Sequence, residues 1–235
     1  MLVNRYWKHF FGRGLVDPED DMRVTNPASN PELLDALASH FTKSKYDLKE
    51  LVRTICRSKV YQLSSEPNEH NLNDKQSFSR FQPRRLSAEV LLDSIDDLTE
   101  SKTSFRGMPR ETRAIQLPDN QFSSYFLSVF GRPDSASACE CERTSDATLA
   151  QTLHLLNSPD ILKKVSGGRA SKLARDKKSN AEKIREVYLL AFSREPMKKE
   201  IDAIEAHIKA RKKPQDAFQD LLWVLINTKE FLFNH

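Results

Sequence analysis

The sequence is poor in cysteine, with three among 235 residues, and it contains no long apolar run. Three cysteines are too few for a small scaffold held by disulfides, and their odd number leaves at least one thiol outside any intramolecular bridge. Because no stretch reaches about 18 apolar residues, we predict no transmembrane segment. The first eleven residues also lack the order of charged, apolar and small residues found in a secretory signal. The chain is expected to be soluble and to encode no export signal of its own.

Three catalytic motifs are missing as well. The sequence has no glycine loop of the kind that cradles phosphate, no Gly-x-Ser-x-Gly nucleophile elbow and no His-Glu-x-x-His helix. Each of these motifs places reacting groups at a spacing that its chemistry requires. Their absence removes the main sequence support for the corresponding enzyme classes.

The sequence also lacks a large excess of one charge. Lys and Arg number 37 and Asp and Glu number 33, so the formal net charge is +4. A balance this close produces no strong long-range field and does not favour nucleic acid. The basic run at residues 163–185 has no interleaved aromatic residues, which favours a solvated face. The alternative is that this run contacts phosphates. The sequence therefore gives little support to nucleic-acid binding.

Apolar residues recur at helical spacing through most of the chain. Asn30 and Asp47 are typical N-cap residues, and each precedes an amphipathic segment. The stripe that follows Asp47 includes Cys56, so we expect this thiol in the helical core. Further helices are predicted at residues 88–98, 149–157, from 159 onward, and at 180–192, 197–211 and 215–232. The fold class is therefore mainly α, multi-helical, with a loop-rich middle and at most a minor sheet.

Segments without periodicity divide these helices. Residues 64–82 are predicted to form a polar surface loop, and residues 101–121 a long connection with a short strand-like piece at 114–117. Two consecutive glycines favour a flexible hinge at about 167–178. We therefore predict an N-terminal helical lobe at residues 1–165 that carries a cysteine loop. A C-terminal helical group at 179–235 is expected to pack on it as one unit.

Two cysteines are separated by one residue, within a segment that reads Cys-Glu-Cys-Glu-Arg at 139–143. Together with His154, Cys139 and Cys141 are candidate metal ligands, although a closed zinc site requires four ligands. A redox-active pair is a second reading, but the neighbouring glutamates raise thiol pKa values and oppose it. The preferred interpretation is structural: reduced, buried thiols or a tight bridge, with Glu142 and Arg143 in ion pairs.

A second group of charged residues surrounds the start of the helix at 88–98. Arg84 and Arg85 precede this helix, and Glu89 and Asp93 lie one turn apart on the side opposite its apolar face. Guanidinium groups in this arrangement bind a carboxylate, a sulfate or sugar hydroxyls. An intramolecular ion-pair network that orients the helix end is the more common outcome.

We expect the two charged groups to meet. The arginines at 84 and 85 can pair with Glu140 or Glu142, while Glu89 can pair with Arg143. Cys139 and Cys141 would then lie beside this polar centre. Near the N-terminus, Asn4, Arg5, Trp7 and His9 are candidates to line a pocket. The simpler interpretation places the aromatic residues Trp7, Phe10 and Phe11 in the core, with the polar residues of this segment on the outer face.

Several motifs in a fixed order resemble one protein family. They begin with the segment Asn-Arg-Tyr-Trp-Lys-His-Phe-Phe-Gly-Arg-Gly-Leu-Val at residues 4–16 and continue at 26–35, 58–62, 84–89, 130–133, 139–143, 151–157 and 194–196. The chain is similar over nearly its whole length to the planctomycete-type domain of unknown function 1553. The resemblance implies an extracytoplasmic or periplasmic location, and a cytochrome-c-like domain or protein as partner. The chain itself has no Cys-x-x-Cys-His segment for covalent haem, so its cofactor is unknown.

These observations lead to three functional hypotheses. The first is a non-catalytic helical module that binds or positions partners of an exported redox or polysaccharide-related assembly. The second is an enzyme with a metal or thiol site at Cys139 and Cys141. The third is nucleic-acid binding through residues 163–185.

Overall fold

A computed structural model describes residues 1–119, 121–133 and 148–234. The predicted fold class is confirmed: the described residues are mainly α-helical, with one two-stranded sheet. Contacts separate two compact units, Met1–Arg84 and Arg85–Asn234. The boundary predicted between residues 165 and 179 falls inside the second unit.

Three helices form the first unit, and their caps explain where they begin. The helices are α1 (Leu2–Phe11), α2 (Pro31–Lys43) and α3 (Leu48–Arg57). The side chain of Asn30 accepts a hydrogen bond from the Leu33 amide, and Asp47 accepts from the first amides of α3. Both cap predictions are confirmed, because these side chains satisfy amides that lack partners within the helix.

An aromatic core holds α1 in place. Trp7 stacks on Phe11 with ring centroids 4.1 Å apart, and Phe78 meets both rings edge-on. Phe78 belongs to the predicted polar loop at 64–82, which has no helix or strand but sends this ring inward. The loop prediction is therefore confirmed for the backbone, but the polar composition of the loop gave no sign that the half-buried Phe78 ring packs against the core.

Asn4 lies in the interior of the first unit, so its predicted place on the outer face of α1 is wrong. Its amide nitrogen donates to the Val16 and Glu19 carbonyls at 2.8 and 3.0 Å, and its oxygen accepts from the Val16 amide at 3.0 Å. A fully buried side-chain amide is tolerated because its polar atoms are paired. Through these hydrogen bonds, Asn4 holds the segment that contains Val16 and Glu19 against helix α1.

Cys56 is half-buried rather than enclosed in the core. The interior positions of α3 are Leu51 and Ile55, while Leu48 at the start of the predicted stripe is exposed. Burial raises the pKa of the Cys56 thiol, which disfavours the reactive thiolate.

The second unit contains the remaining elements. They are β1 (Arg84–Arg85), which begins at the last residue of the first unit, α4 (Ala88–Thr99), a short 3₁₀ helix (Ala114–Gln116), α5 (Tyr125–Val129), α6 (Leu149–Asn157), α7 (Pro159–Ser166), α8 (Gly168–Arg175), α9 (Asn180–Phe192), α10 (Lys198–Ala210), α11 (Pro214–Ile226), α12 (Lys229–Leu232) and β2 (Phe233–Asn234). The two short strands pair as the minor sheet.

Helix α4 lies in the centre of the second unit. Its apolar face buries Leu91, Leu92, Ile95 and Leu98, and the same core includes Phe218 and Leu222 from α11. Each fully buried side chain of this size contributes about 1.5–3 kcal/mol of transfer free energy. The predicted apolar face of this helix is therefore the main packing surface of the unit.

The structure corrects three details of the predicted elements. Residues 167–178 are not a hinge, because Gly168–Arg175 form α8. The strand-like piece at 114–117 is a 3₁₀ helix, and the helix predicted at 215–232 ends at Ile226 before the separate α12. In each case local propensity was overridden by contacts made elsewhere in the chain.

Close packing against the end of α4 explains the glycine pair before α8. The backbone of Gly168 has φ +27°, and a Cβ built there would collide with the Thr99 carbonyl oxygen and lie 3.0 Å from that of Glu100. The next residue, Arg169, donates to the Leu98 carbonyl at 2.6 Å and to that of Asp97 at 3.2 Å. Arg169 therefore satisfies carbonyls that α4 leaves without partners.

We expect Gly168→Ala to lower the free energy of unfolding by about 2–4 kcal/mol, because backbone strain and overpacking add at this site. Gly107→Ala is the matched control, since Gly107 also has positive φ (+83°) but would place its Cβ in open space. The control should lose only about 1 kcal/mol. Urea denaturation of both variants measures the difference, and equal losses would contradict the proposed close approach.

Candidate functional site

A buried ion pair lies beneath the segment that follows α5. Arg132 Nε is 3.6 Å from Glu89 Oε1, and the two side chains are only 5% and 7% exposed. The guanidinium group also donates to the Asp119 carbonyl. Glu89 was predicted on the outer side of α4, so the structure corrects that placement. Opposite charges in the interior must remain paired, because a single buried charge is strongly destabilising.

Asp93 is buried as well, although it too was predicted on the outer side of α4. Its carboxylate accepts hydrogen bonds from the amides of Ala114 and Ile115 at 2.8 and 3.1 Å, and lies 3.5 Å from Arg113 Nε. These amides open the 3₁₀ helix and lack partners within it. Asp93 therefore acts as a cap supplied from another helix.

Arg85 connects β1 to helices α5 and α6. Its guanidinium carbon lies 4.9 Å from the centre of the Phe130 ring, and Nη1 donates to the side-chain oxygen of Gln151. Gln151 in turn donates to the Val129 carbonyl at 2.9 Å. Burial lowers the pKa of Arg85, but an arginine remains cationic at neutral pH.

Arg84 is assigned to the first unit, so the structure divides the predicted charged group. Its Nε is buried without a hydrogen-bond partner among the described residues, and burial lowers its pKa. A Cβ on Gly12 would approach the Arg84 Cδ to 2.9 Å, and Gly12 has φ +78°. Arg85, Glu89 and Asp93 belong to the second unit, where each binds a different segment.

His154 lies among aromatic rings. Its ring centre is 5.3, 5.6 and 6.1 Å from those of Tyr125, Phe126 and Phe130. Burial lowers the pKa of His154 and favours the neutral imidazole, and Nε2 is buried without a partner among the described residues. Among the residues that the structure describes, no group of three or more His, Cys, Asp or Glu side chains is arranged to hold a metal.

The remaining predicted site residues, Cys139, Cys141, Glu142 and Arg143, lie outside the described residues. The metal site with His154 and the polar centre beside the two cysteines therefore stay predictions.

A cleft of about 320 Å³ adjoins the buried ion pair and is the feature best suited to a ligand. It is lined by Phe122, Ser123, Ser124, Tyr125, Leu127, Ser128, Arg132 and Pro133. Ser124 is the N-cap of α5 and accepts from the Leu127 amide, which fixes this wall. Tyr125 is 71% exposed, whereas the Arg132 side chain is only 5% exposed. Serine hydroxyls and an aromatic ring therefore line one opening, and the guanidinium group lies buried in its wall.

Sequence reasoning selected Arg132 as part of a motif but missed the serines. The signal that it passed over is Ser-Ser-Tyr at 123–125, immediately before the short helix that leads into Phe-Gly-Arg-Pro. Serine at an N-cap position also has a purely local explanation, so this pattern by itself does not indicate a cleft.

Five of the nine cations in the basic run at 163–185 form ion pairs with acidic residues of the same unit. Arg169 lies 3.3 Å from Glu100 and 3.5 Å from Glu186, and Arg185 lies 2.6 Å from Glu195. The cations of the run in ion pairs are Lys164, Arg169, Lys172, Lys178 and Arg185. These pairs support the predicted solvated face over a phosphate-binding surface.

The motif Arg194-Glu195-Pro196 also has a structural role. The Arg194 guanidinium binds Glu200 at 2.9 Å and Glu230 at 2.6 Å, which joins the ends of α9, α10 and α12. The hydrogen bonds that Arg194 donates to Glu200 and Glu230 raise its pKa. This motif therefore contributes to the fold and not to the cleft.

The fold and cleft define a mainly α-helical module with a small polar opening beside a buried ion pair. The chain belongs to the family described as PSD1, protein of unknown function (DUF1553), whose sequence model matches residues 1–208. Neither a curated protein nor a solved structure matches the chain. None of the helices in the described ranges has the length and apolar character needed to cross a bilayer.

We expect Arg132→Met to lower the free energy of unfolding by about 3–5 kcal/mol, because the buried Glu89 carboxylate would lose the guanidinium group that lies 3.6 Å from it. Replacing both residues, as in Arg132→Met with Glu89→Leu, should recover most of this loss. A double-mutant cycle measured by urea denaturation tests the pair. Simple additivity of the two single losses would show that the ion pair is energetically unimportant.

The ion pair between Asp96 of α4 and Lys164 should make the stability of the protein depend on pH under acidic conditions. Burial alone would raise the pKa of Asp96, but hydrogen bonds from Lys164 and Ser101 outweigh it and lower the pKa. An aspartate in the unfolded chain has a pKa of about 3.9, so the stabilisation that the interactions of Asp96 provide is fully present above that pH. It is lost as the pH falls through the lower pKa of Asp96 in the folded protein. The stability difference between wild type and Asp96→Asn should therefore shrink below about pH 4. Urea titrations at several pH values measure it, and a pH-independent difference would contradict the assignment.

Proposed function

We propose that the chain is a non-catalytic helical module that binds and positions partners of an exported assembly concerned with redox or polysaccharide chemistry. The observation that carries this proposal is the cleft beside α5, which offers hydroxyl, aromatic and guanidinium groups to a ligand. Family membership supports an uncharacterised module over nearly the whole chain.

The composition of the cleft wall favours binding over catalysis. A general acid or base must titrate near the working pH and reach the ligand, and a serine nucleophile requires an adjacent base. The polar side chains of the described wall are serines, a tyrosine and an arginine, and this wall contains no histidine, carboxylate or cysteine. The nearby carboxylate, Glu89, is held by Arg132, and His154 packs against rings.

The wider setting is part of the same proposal. An extracytoplasmic or periplasmic location and a cytochrome-c-like partner follow from what the family resemblance implies. A ligand-binding module would fit such an assembly by placing its substrate or partner near domains that carry out the chemistry.

We expect a thermal-shift screen to test the cleft as a binding site. The library should contain sugars, organic acids, nucleotides and short peptides, because the ligand class is left open at this step. A ligand that binds only the folded protein raises Tm, and Ser128→Trp should abolish that rise by filling the cleft. Ser77→Trp adds the same ring to an exposed loop of the first unit and serves as the control.

The proposal stands if at least one compound stabilises the wild type and the Ser77→Trp control but not Ser128→Trp. It fails if no compound raises Tm, or if every compound that does so acts equally on Ser128→Trp.

A further inference from the structure

We propose that the ligand of the cleft is a neutral saccharide, with one sugar ring seated between Tyr125 and the serine hydroxyls. This inference rests on the proposed binding function and names its ligand class. It follows from the kinds of donors and acceptors in the wall, from their charge balance and from the size of the opening.

The polar groups of the wall match hydroxyl groups better than any ion. A serine hydroxyl donates one hydrogen bond and accepts others, as a sugar hydroxyl does, and Ser123, Ser124 and Ser128 line the same cleft. The Ser124 oxygen accepts a hydrogen bond from the Leu127 amide, and a hydroxyl that accepts in this way can still donate its proton to a ligand. Ser123 and Ser128 are exposed.

Charge balance favours a neutral ligand. Arg132 is the only cation in the described wall, and Glu89 lies 3.6 Å from its Nε. A phosphate or sulfate site collects several uncompensated donors, such as a glycine loop or an arginine cluster. A guanidinium group that is only 5% exposed and already opposed by a carboxylate adds little net charge to the opening, which suits an uncharged ligand.

Tyr125 supplies an apolar surface beside these hydroxyls. One side of its ring meets His154, with centroids 5.3 Å apart and planes inclined by 55°, while 71% of the residue remains exposed. An aromatic side chain held in this way is a rigid platform for the C–H face of a pyranose. The volume of about 320 Å³ lies at the lower end of small-molecule sites, so it suits one or two rings.

Isothermal titration calorimetry of the full chain tests this inference with defined probes. The neutral probes are maltotriose, cellotriose and chitotriose, the charged sugar is trigalacturonate, and the non-sugar probes are inorganic phosphate and citrate. We expect at least one neutral trisaccharide to bind more tightly than trigalacturonate, phosphate and citrate.

Variants of the wall locate the binding. Tyr125→Ala removes the platform and should raise Kd about fivefold, and Ser128→Ala should have a similar effect through a lost hydrogen bond. Leu149→Ala is the control and should leave Kd unchanged, because it trims a similarly exposed side chain on α6 outside the cleft wall.

The outcomes separate this inference from the proposed function. If the thermal-shift screen yields a ligand that Ser128→Trp abolishes but that ligand is an acid, nucleotide or peptide, the saccharide inference is overturned while the binding function stands. Binding of trigalacturonate alone overturns the neutral class. Binding of a neutral sugar that Tyr125→Ala and Ser128→Ala leave unchanged overturns the location. Failure of the screen to yield any ligand overturns both.

Discussion

The second unit depends on partners for three carboxylates of helix α4 that lie at least partly in the interior. Three carboxylates of this helix are removed from water, and each has a partner from another segment: Arg132 for Glu89, the amides of the 3₁₀ helix for Asp93, and Lys164 for Asp96. Arg169 closes the carboxyl end of the helix. Because an unpaired buried carboxylate is costly, these segments must all be in place before α4 can be buried on both faces.

The same constraint positions the candidate site. Arg132 enters the cleft wall because Glu89 holds its guanidinium group against α4, and Ser124 fixes the adjacent wall by capping α5. The cleft wall is therefore joined to α4 through the Arg132–Glu89 ion pair and to α5 through its cap. A binding site gains from such support, since less conformational entropy is lost when a ligand arrives.

Much of the fold could be predicted from local signals. Asn30 and Asp47 predicted where α2 and α3 begin, and the spacing of Leu91, Ile95 and Leu98 identified the buried face of α4. Polarity was a poorer guide, because Asn4, Glu89 and Asp93 were expected at the surface and are buried. A polar side chain enters the interior when a distant segment supplies its partner, and no local pattern contains that information.

The sequence by itself determined the helical class, most helix boundaries and the family motifs, because caps and periodicity act over a few neighbouring residues. Only the tertiary structure decided how the charged residues are used. It assigned Arg84 and Arg85 to different units, paired Glu89 with Arg132 across more than forty residues, and brought serines, a tyrosine and an arginine to one cleft. Those contacts depend on which helix faces meet, and burial of apolar surface fixes that choice only when the whole unit has folded.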